Sequence, residues 1–236
     1  MIARDQAQSF DRIAEEYDRL HELVGDHVGD WLPEVLPLSG RRALDLGCGA
    51  GRHAVILAER FAQVDAVDLS GSMVELARGR RSRPNVAYRR ADLLDVEGEG
   101  RYDFVLSAAT LHHVPDLNAA LRRIKTLVAP GGRAVLVDTV SPRAANPRWW
   151  LYGGELRKLL RDSVRRGPAE AWEIYRLSTG AWLDHRVSDR YLSRERFERE
   201  YRQVFTTAGF GNVGRAHAMV WDAPDHSGGT GARSRR

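Results

Sequence analysis

The sequence predicts an α/β fold: a doubly wound, mostly parallel sheet with helices on both faces. Three observations predict it. From Gly40 to about Asp138, short runs rich in Val, Leu and Ala alternate with helical stretches, the pattern of consecutive strand–helix units. The first run, RRALDL (41–46), ends in the glycine-rich turn GCGAG (47–51). The second ends in an acid, Asp68, nineteen residues beyond Gly49. Strands this apolar suit a parallel sheet covered on both sides.

The elements follow in order. Before residue 40 the chain reads as helical, with Phe10, Ile13, Ala14, Tyr17 and Leu20 on one face; residues 1–40 are expected to form a segment that packs on the sheet or lids a site. After the first strand comes a helix over 52–61, then strand two, QVDAVD (63–68), and a helix over 71–80. Strand three is NVAYRR (85–90) and strand four YDFVLSA (102–108). The next helix spaces Leu117, Leu121, Ile124, Leu127 and Val128 on one face and should stop at Pro130-Gly131-Gly132, ahead of strand five, RAVLVD (133–138). The alternation then breaks. Residues 139–190 hold Trp149, Trp150, Trp172 and Trp182, four of the six tryptophans, with Tyr152 and Tyr175, and read as a helical cap insertion. Ser193 should cap a helix that buries Phe197, Tyr201, Val204, Phe205 and Ala208 and ends at Gly209. GNVGRAHAMVW (211–221) is a last strand or a very tight hairpin, so the sheet domain spans 41–221 and the small, polar stretch 222–236 is expected to be a flexible tail.

Composition narrows the function. Hydrophobic residues make up 43% of the 236 and charged residues 29%, which is globular rather than disordered or fibrous. The net charge is +4, from 36 basic and 32 acidic residues, and part of the excess sits in the tail as Arg233, Arg235 and Arg236. Elsewhere arginines alternate with acids, as in RDQAQSFDRIAEEYDRL, the pattern of a solvated helix face rather than a phosphate-binding stripe. No nucleic-acid partner is expected. The single cysteine, Cys48, excludes an internal disulfide and points to a reducing compartment. MIARDQAQSF lacks the apolar core of a signal peptide, and no apolar run approaches bilayer length, so the expectation is a cytoplasmic protein with no membrane partner.

The strongest local feature is LDLGCGAG (44–51). Glycine at 47, 49 and 51 allows a sharp turn and lets a ligand approach the main chain without Cβ obstruction. Asp68, at the tip of the second strand, is placed to accept from both ribose hydroxyls of a nucleoside; ligands of open parallel sheets bind where these tips meet. The spacing does not match a dinucleotide fingerprint, because position 52 is Arg and the third glycine comes one residue early. No P-loop ending in G-K-[ST] is present. A nucleoside that needs no pyrophosphate cradle remains, and the extra acid Asp45 suits one carrying an ammonium group.

LDLGCGAGR, AVDLS (66–70), RADLLDV (90–96), YDFVLSAATLHHV (102–114) and LVAPGGRAVLVD (127–138) resemble, in order and spacing, the motifs of class I S-adenosylmethionine (SAM)-dependent methyltransferases. The closest flavour is the small-molecule branch that includes quinone-biosynthesis enzymes. SFDRIAEEYDRLH and YLSRERFEREYRQVFTTAGF resemble its N-terminal and late helices. The resemblance implies a Rossmann-like fold, SAM as cofactor and S-adenosylhomocysteine (SAH) as product. It also implies a role for each of several residues. Gly47, Gly49 and Gly51 would line the methionine moiety, with Asp45 near its ammonium group. Asp68 would hold the ribose, Leu69 and Met73 flank the adenine, and Asp92 accept from its amine beside the Leu93 backbone. Ala108 would offer backbone contact to the amino-acid end, and Tyr17 and Arg52 would close over the cofactor. Cys48, between two glycines, is expected only to pack. Two departures stand out: the stretch after Phe210 is short for the family's closing hairpin, so that hairpin is minimal or lacks a strand, and the insertion at 139–190 is longer than the family core.

Methyl transfer from a sulfonium needs nucleophile, methyl carbon and sulfur in line, and positioning with exclusion of water supplies much of the rate. A base is required only if the acceptor must lose a proton. His112 and His113, just after strand four, are candidate bases, and His185 with Asp184 in the insertion are alternatives. His217 reads as structural or exposed. No His or Cys spacing matches a zinc site, so no metal is expected. The tryptophan-rich insertion is expected to lid an apolar or aromatic acceptor pocket. The predicted activity is methyl transfer to an O, N or C nucleophile of a small-molecule acceptor, by a monomer or homodimer. The alternatives are a SAM-fold enzyme that uses SAM structurally, as in a cyclisation, and a non-catalytic SAM-binding module.

Overall fold

A computed structural model describes residues 2–143 and 147–225; of the expected tail, residues 226–236 lie outside the described residues. In chain order the elements are α1 (Ile2–Val24), α2 (His27–Val35), β1 (Gly40–Leu46), α3 (Arg52–Ala58), β2 (Phe61–Asp68), α4 (Gly71–Arg80), β3 (Val86–Arg90), β4 (Tyr102–Ala108), α5 (Leu117–Leu127), β5 (Val128–Thr139), α6 (Arg148–Arg166), α7 (Pro168–Thr179), α8 (Ala181–Ser188), α9 (Arg194–Val204), β6 (Gly209–Val213) and β7 (Ala216–Asp222). One seven-stranded sheet runs in the order β3-β2-β1-β4-β5-β7-β6. The first five strands pair in parallel, and β7 enters antiparallel between β5 and β6. This is the Rossmann-like architecture the sequence predicts.

Alternate faces of the strands feed two cores. Leu44, Leu46, Val105, Leu121, Ile124, Phe197, Tyr201 and Met219 pack together under α5 and α9. Ala43, Leu57, Val64, Phe104 and Val135 pack with Leu32 under α2 and α3. Phe104 is sealed from solvent, so Phe104→Ala would cost about 3–5 kcal/mol through lost burial and the cavity left behind. Side-chain caps set the helix starts: Ser70 accepts from the Met73 amide, Asp116 from Ala119 and Ser193 from Arg196.

The N-terminal segment is two helices, broken at Gly25 (φ +86°) and restarted by Asp26, which accepts from the amides of Val28 and Gly29. Buried Asp18 clamps α1 to the sheet domain, accepting from Arg52 at 2.7 Å, Arg80 at 2.9 Å and Arg81 at 2.8 Å. The described residues of the insertion after β5 form three helices, and α7 packs on both α6 and α1.

Of the two alternatives for the closing hairpin, the structure shows the minimal one: Val213 pairs with Ala216 across a two-residue turn led by Gly214 at φ +57°. Several other element ends depart from the sequence reading. The expected breaker 130–132 is part of β5, which starts at Val128 opposite Tyr102 and crosses an irregularity before Arg133 pairs with Phe104. The helix after β1 stops at Ala58, because β2 already begins at Phe61. α9 stops at Val204, and Gly209 opens β6 instead of ending the helix. Among the described residues no helix is long and apolar enough to cross a membrane.

Candidate active site

The tips of β1, β2 and β4 open onto a cleft of about 930 Å³, counting its mouth. Its wall begins with the glycine turn. Gly47, Gly49 and Gly51 all have positive φ (+73°, +50° and +83°), which glycine adopts without Cβ strain. The turn is tied to the neighbouring strand: the amides of Gly47 and Cys48 both donate to the Val67 carbonyl, at 2.8 and 3.0 Å. The first two glycines serve different ends. A Cβ on Gly47 would lie 2.1 Å from the Thr110 hydroxyl, so the turn and the segment after β4 touch only because that side chain is missing. A Cβ on Gly49 would meet nothing within 4 Å; this glycine keeps the cleft open. Gly51 lies outside the lining, where it caps α3 under the Tyr88 hydroxyl.

Asp68 faces the turn. Its carboxylate accepts from the Gly49 amide and the Ser70 amide, both at 2.8 Å. Burial raises its pKa, and those two amides oppose the rise. Leu69, Met73 and Leu93 add apolar wall beside it, and Asp92 lines the same cleft while capping the short turn at Leu94 with a 2.9 Å bond. Ala108 and Ala109 form the floor; among the described residues Ala109 is the non-glycine residue at positive φ (+53°), a backbone strain of the kind found at ligand sites. Phe10 and Tyr17 reach in from α1 and meet edge to face, 5.6 Å apart. Burial, then the Asp26, Asp68 and Asp189 carboxylates, push the Tyr17 phenol far up, so it stays neutral.

Asp45 sits behind the turn. It is 1% exposed and outside the lining, and neither carboxylate oxygen has a hydrogen-bond partner. Burial raises its pKa to about 6, against the pull of nearby His53. A buried, unpartnered acid one turn behind a ligand cleft is a costly feature that a cationic group would relieve. The missing Cβ at Gly49 and the orphaned Asp45 together fit an adenosyl ligand carrying an ammonium group. Arg52 is also outside the lining, because Asp18 and the Asp18 carbonyl hold its guanidinium.

The three histidines form one cluster at the end of the cleft bounded by Phe10, Thr110, Val114 and Pro115. Only His113 lines the cleft. His112 lies behind it, the ring centroids 3.8 Å apart and the rings tilted by 46°, with its Nδ1 2.5 Å from Asp138 and its amide donating to the same carboxylate. His185 lies 5.0 Å from His113, centroid to centroid, beneath Phe10 and against Trp182. Asp189 sits between them, 3.6 Å from His113 Nδ1 and 3.4 Å from His185 Nε2. Burial lowers the pKa of His113 well below the usual imidazole value, and the two neighbouring histidines lower it further. Burial likewise lowers His185, with Asp189 opposing. Burial would lower His112 too, but Asp138 more than reverses it.

The fold therefore brings Tyr17, Gly47, Gly49, Asp68, Leu69, Met73, Asp92, Leu93, Ala108 and His113 onto one cleft, and leaves Asp45, Gly51, Arg52, His112 and His185 behind it. The expected tryptophan lid is corrected. Among the described residues none of the insertion lines this cleft; α6 turns Glu155 and Asp162 inward and leaves Trp149 and Trp150 74% and 47% exposed, and Trp172 on α7 is 58% exposed. Only Trp182 comes near, stacking on His185 and on the edge of Tyr17. Asp184 pairs with Arg148 on the surface, away from the cleft. His217 is buried structurally between Glu198 and Asn212, and Cys48 is a buried packing residue. Sequence reasoning missed Thr110, Asp138 and Asp189. Only Asp138, an acid at the tip of a strand, carried a local signal.

Comparison with known proteins agrees with this geometry. A methyltransferase-domain family model matches residues 44–136. An uncharacterized methyltransferase of Mycobacterium tuberculosis strain H37Rv is 36% identical over 126 residues, 53% of this chain, and the chain spans 64% of that relative's length. The ubiquinone biosynthesis O-methyltransferase of Azotobacter vinelandii is 33% identical over 172 residues, covering 71% of this chain and 72% of that protein. Among solved structures, DhpI in complex with SAH superposes with a TM-score of 0.66 over 94% of this chain and 98% of its own, at 22% identity, a likeness of fold. The matched domain runs through the strands that build the cleft, and a relative is covered over 72% of its length. The chain belongs to the class I SAM-dependent methyltransferases.

Proposed function

We propose that this chain transfers a methyl group from SAM to an oxygen, nitrogen or carbon nucleophile of a small, apolar or aromatic metabolite. The observation that carries the reading is the pairing of Gly49, which presents no side chain to the cleft, with the Asp68 carboxylate that faces it. Asp68 grips the ribose hydroxyls with the lone pairs its two amide donors leave over. Leu69, Met73 and Leu93 enclose the adenine, and Asp92 accepts from its amine. Gly47, Gly49 and the Ala108 backbone take the methionine end, with Asp45 supplying the countercharge for the ammonium group. SAM, when bound, supplies a methyl group already activated by its sulfonium charge. Gly51 and Arg52 act one step back: the glycine turns the chain into α3, and the arginine fastens α1 through Asp18.

The remaining wall, with Phe10, Thr110, Val114, Pro115 and His113, is mostly apolar and takes the acceptor. Phe10 and Tyr17, carried on the N-terminal segment, lid this end and exclude water, which favours attack by an anionic acceptor. His113, with His112 and His185 behind it, activates the acceptor. The likeness to ubiquinone biosynthesis O-methyltransferases favours an oxygen as the nucleophile. The single buried cysteine suits a reducing, cytoplasmic setting. The test is incubation with SAM carrying a deuterated methyl group and a panel of phenols, catechols and amines, followed by mass spectrometry. The reading expects a product heavier by one labelled methyl group; enzyme that binds SAH yet gives no methylated product from any acceptor would overturn it.

A further inference from the structure

We infer that His112, His113 and Asp189, with His185 packed beside them, form a binding site for one divalent transition-metal ion of the zinc type at the acceptor end of the cleft. Three observations carry this. First, the donor atoms converge at the wrong distance for hydrogen bonds and the right one for ligands. Asp189 Oδ1 lies 3.6 Å from His113 Nδ1 and 3.4 Å from His185 Nε2. An ion with bonds of about 2.0–2.2 Å in tetrahedral geometry sets its ligand atoms roughly 3.3–3.6 Å apart. Donor atoms of His112, His113 and Asp189 also all lie within 4.8 Å of one another.

Second, two of the ligand atoms, one on Asp189 and one on His113, are buried without a hydrogen bond. Asp189 is 1% exposed, and neither its Oδ1 nor the buried Nδ1 of His113 makes a hydrogen bond. A sealed carboxylate oxygen facing two imidazoles without bonding either is expensive unless a cation sits among them. Third, the outer shell is in place. The Tyr191 hydroxyl donates to the other Asp189 oxygen at 2.6 Å, and Asp138 holds His112 Nδ1 at 2.5 Å, leaving Nε2 as its ligand atom. Carboxylate or hydroxyl partners that orient ligating side chains this way are the usual second layer of a metal site. Mixed imidazole and carboxylate donors suit zinc and its first-row neighbours better than magnesium or calcium. The sequence concealed the cluster, because Asp189 lies 76 residues beyond His113 and no short His or Cys spacing marks it.

His113 lines the cleft, so an ion here stands where an acceptor oxygen reaches it and loses its proton to solvent more readily. That role rests on the proposed function; metal binding itself does not. The test titrates chelator-treated full-length protein with Co²⁺ and with Zn²⁺, following visible absorption and heat, and titrates SAH in parallel. The expected result is one equivalent bound, an absorption spectrum of low-coordinate Co²⁺ that Zn²⁺ bleaches, and affinity at least tenfold weaker in Asp189→Asn and His113→Ala. Tyr191→Phe, which keeps all the ligands, should weaken binding about tenfold. Absence of stoichiometric binding by the wild-type chain, or an octahedral Co²⁺ spectrum unchanged in the folded variants, overturns the inference. Because the wild-type stoichiometry and spectrum decide on their own, a variant that fails to fold leaves the test intact. SAH binding that persists in metal-free protein would leave the cofactor reading standing even if the metal site fails.

Discussion

Replacing Asp68 with alanine should weaken cofactor binding far more than it weakens the fold. In the structure the Asp68 carboxylate fixes the Gly49 and Ser70 amides at 2.8 Å and still has acceptor capacity toward the cleft. Charged hydrogen bonds to ribose hydroxyls are worth about 1.5–3 kcal/mol, a loss on the order of ten- to a hundred-fold in affinity. The fold should suffer less. Burial raises the Asp68 pKa, so in the absence of ligand its charge does not stabilise the native state, and the amides it releases border an open cleft. Isothermal titration with SAH, run beside a thermal melt, separates the two effects. Asp68→Asn, which keeps the shape but not the charge, should fall between alanine and wild type. A variant that melts normally and binds SAH with unchanged affinity would refute the ribose assignment.

Gly47→Ala should lower both thermal stability and SAH affinity, because its Cβ meets the Thr110 hydroxyl at 2.1 Å from a backbone held at φ +73°; the same two assays check it, and Gly47→Ala with Thr110→Ser should recover part of the loss. Asp18→Ala removes a sealed carboxylate that three arginines share, at a cost of roughly 2–4 kcal/mol after allowing for their partial exposure. Limited proteolysis should then cut within α1, the helix that carries Phe10 and Tyr17, while the sheet domain survives. Cofactor affinity should also depend on pH. The pKa of Asp45 is raised to about 6 in the ligand-free protein, so the carboxylate proposed as countercharge for the ammonium group is ionised above that pH and neutralised below it. SAH should therefore bind about tenfold more weakly at pH 5 than at pH 7.5, and Asp45→Asn should bind weakly at both.

Much of the fold could be read from local pattern. β4 and α4 begin and end where the sequence reading puts them, because each is bounded by unmistakable signals: an apolar run for one, a Ser70 cap for the other. The misreadings have physical causes. Pro130-Gly131-Gly132 looks like a break, yet Gly131 at φ +72° and the close approach of Gly132 to the Tyr102 carbonyl let β5 bend around an irregularity and continue. The closing hairpin, by contrast, is the tight one the sequence allows, and it fits its short stretch because its turn consumes two residues only. In the site, the glycine turn and Asp68 were legible because backbone conformation demands glycine there and because strand tips meet at a fixed place. The tryptophan insertion departs from its expected role because composition does not tell which way a helix faces; α6 buries Glu155, which pairs with Lys158 and Arg186, and leaves Trp149 outside. The cluster around Asp189 left no sequence trace, since only tertiary contact assembles it.

A crystal structure of the protein grown with SAH tests the central claim most directly. The account predicts density for the nucleoside with its ribose hydroxyls on Asp68, its adenine between Leu69, Met73 and Leu93, and its amino-acid end over Gly47 and Gly49. SAH seated elsewhere, or a cleft that stays closed to it at saturating concentration, would contradict the account.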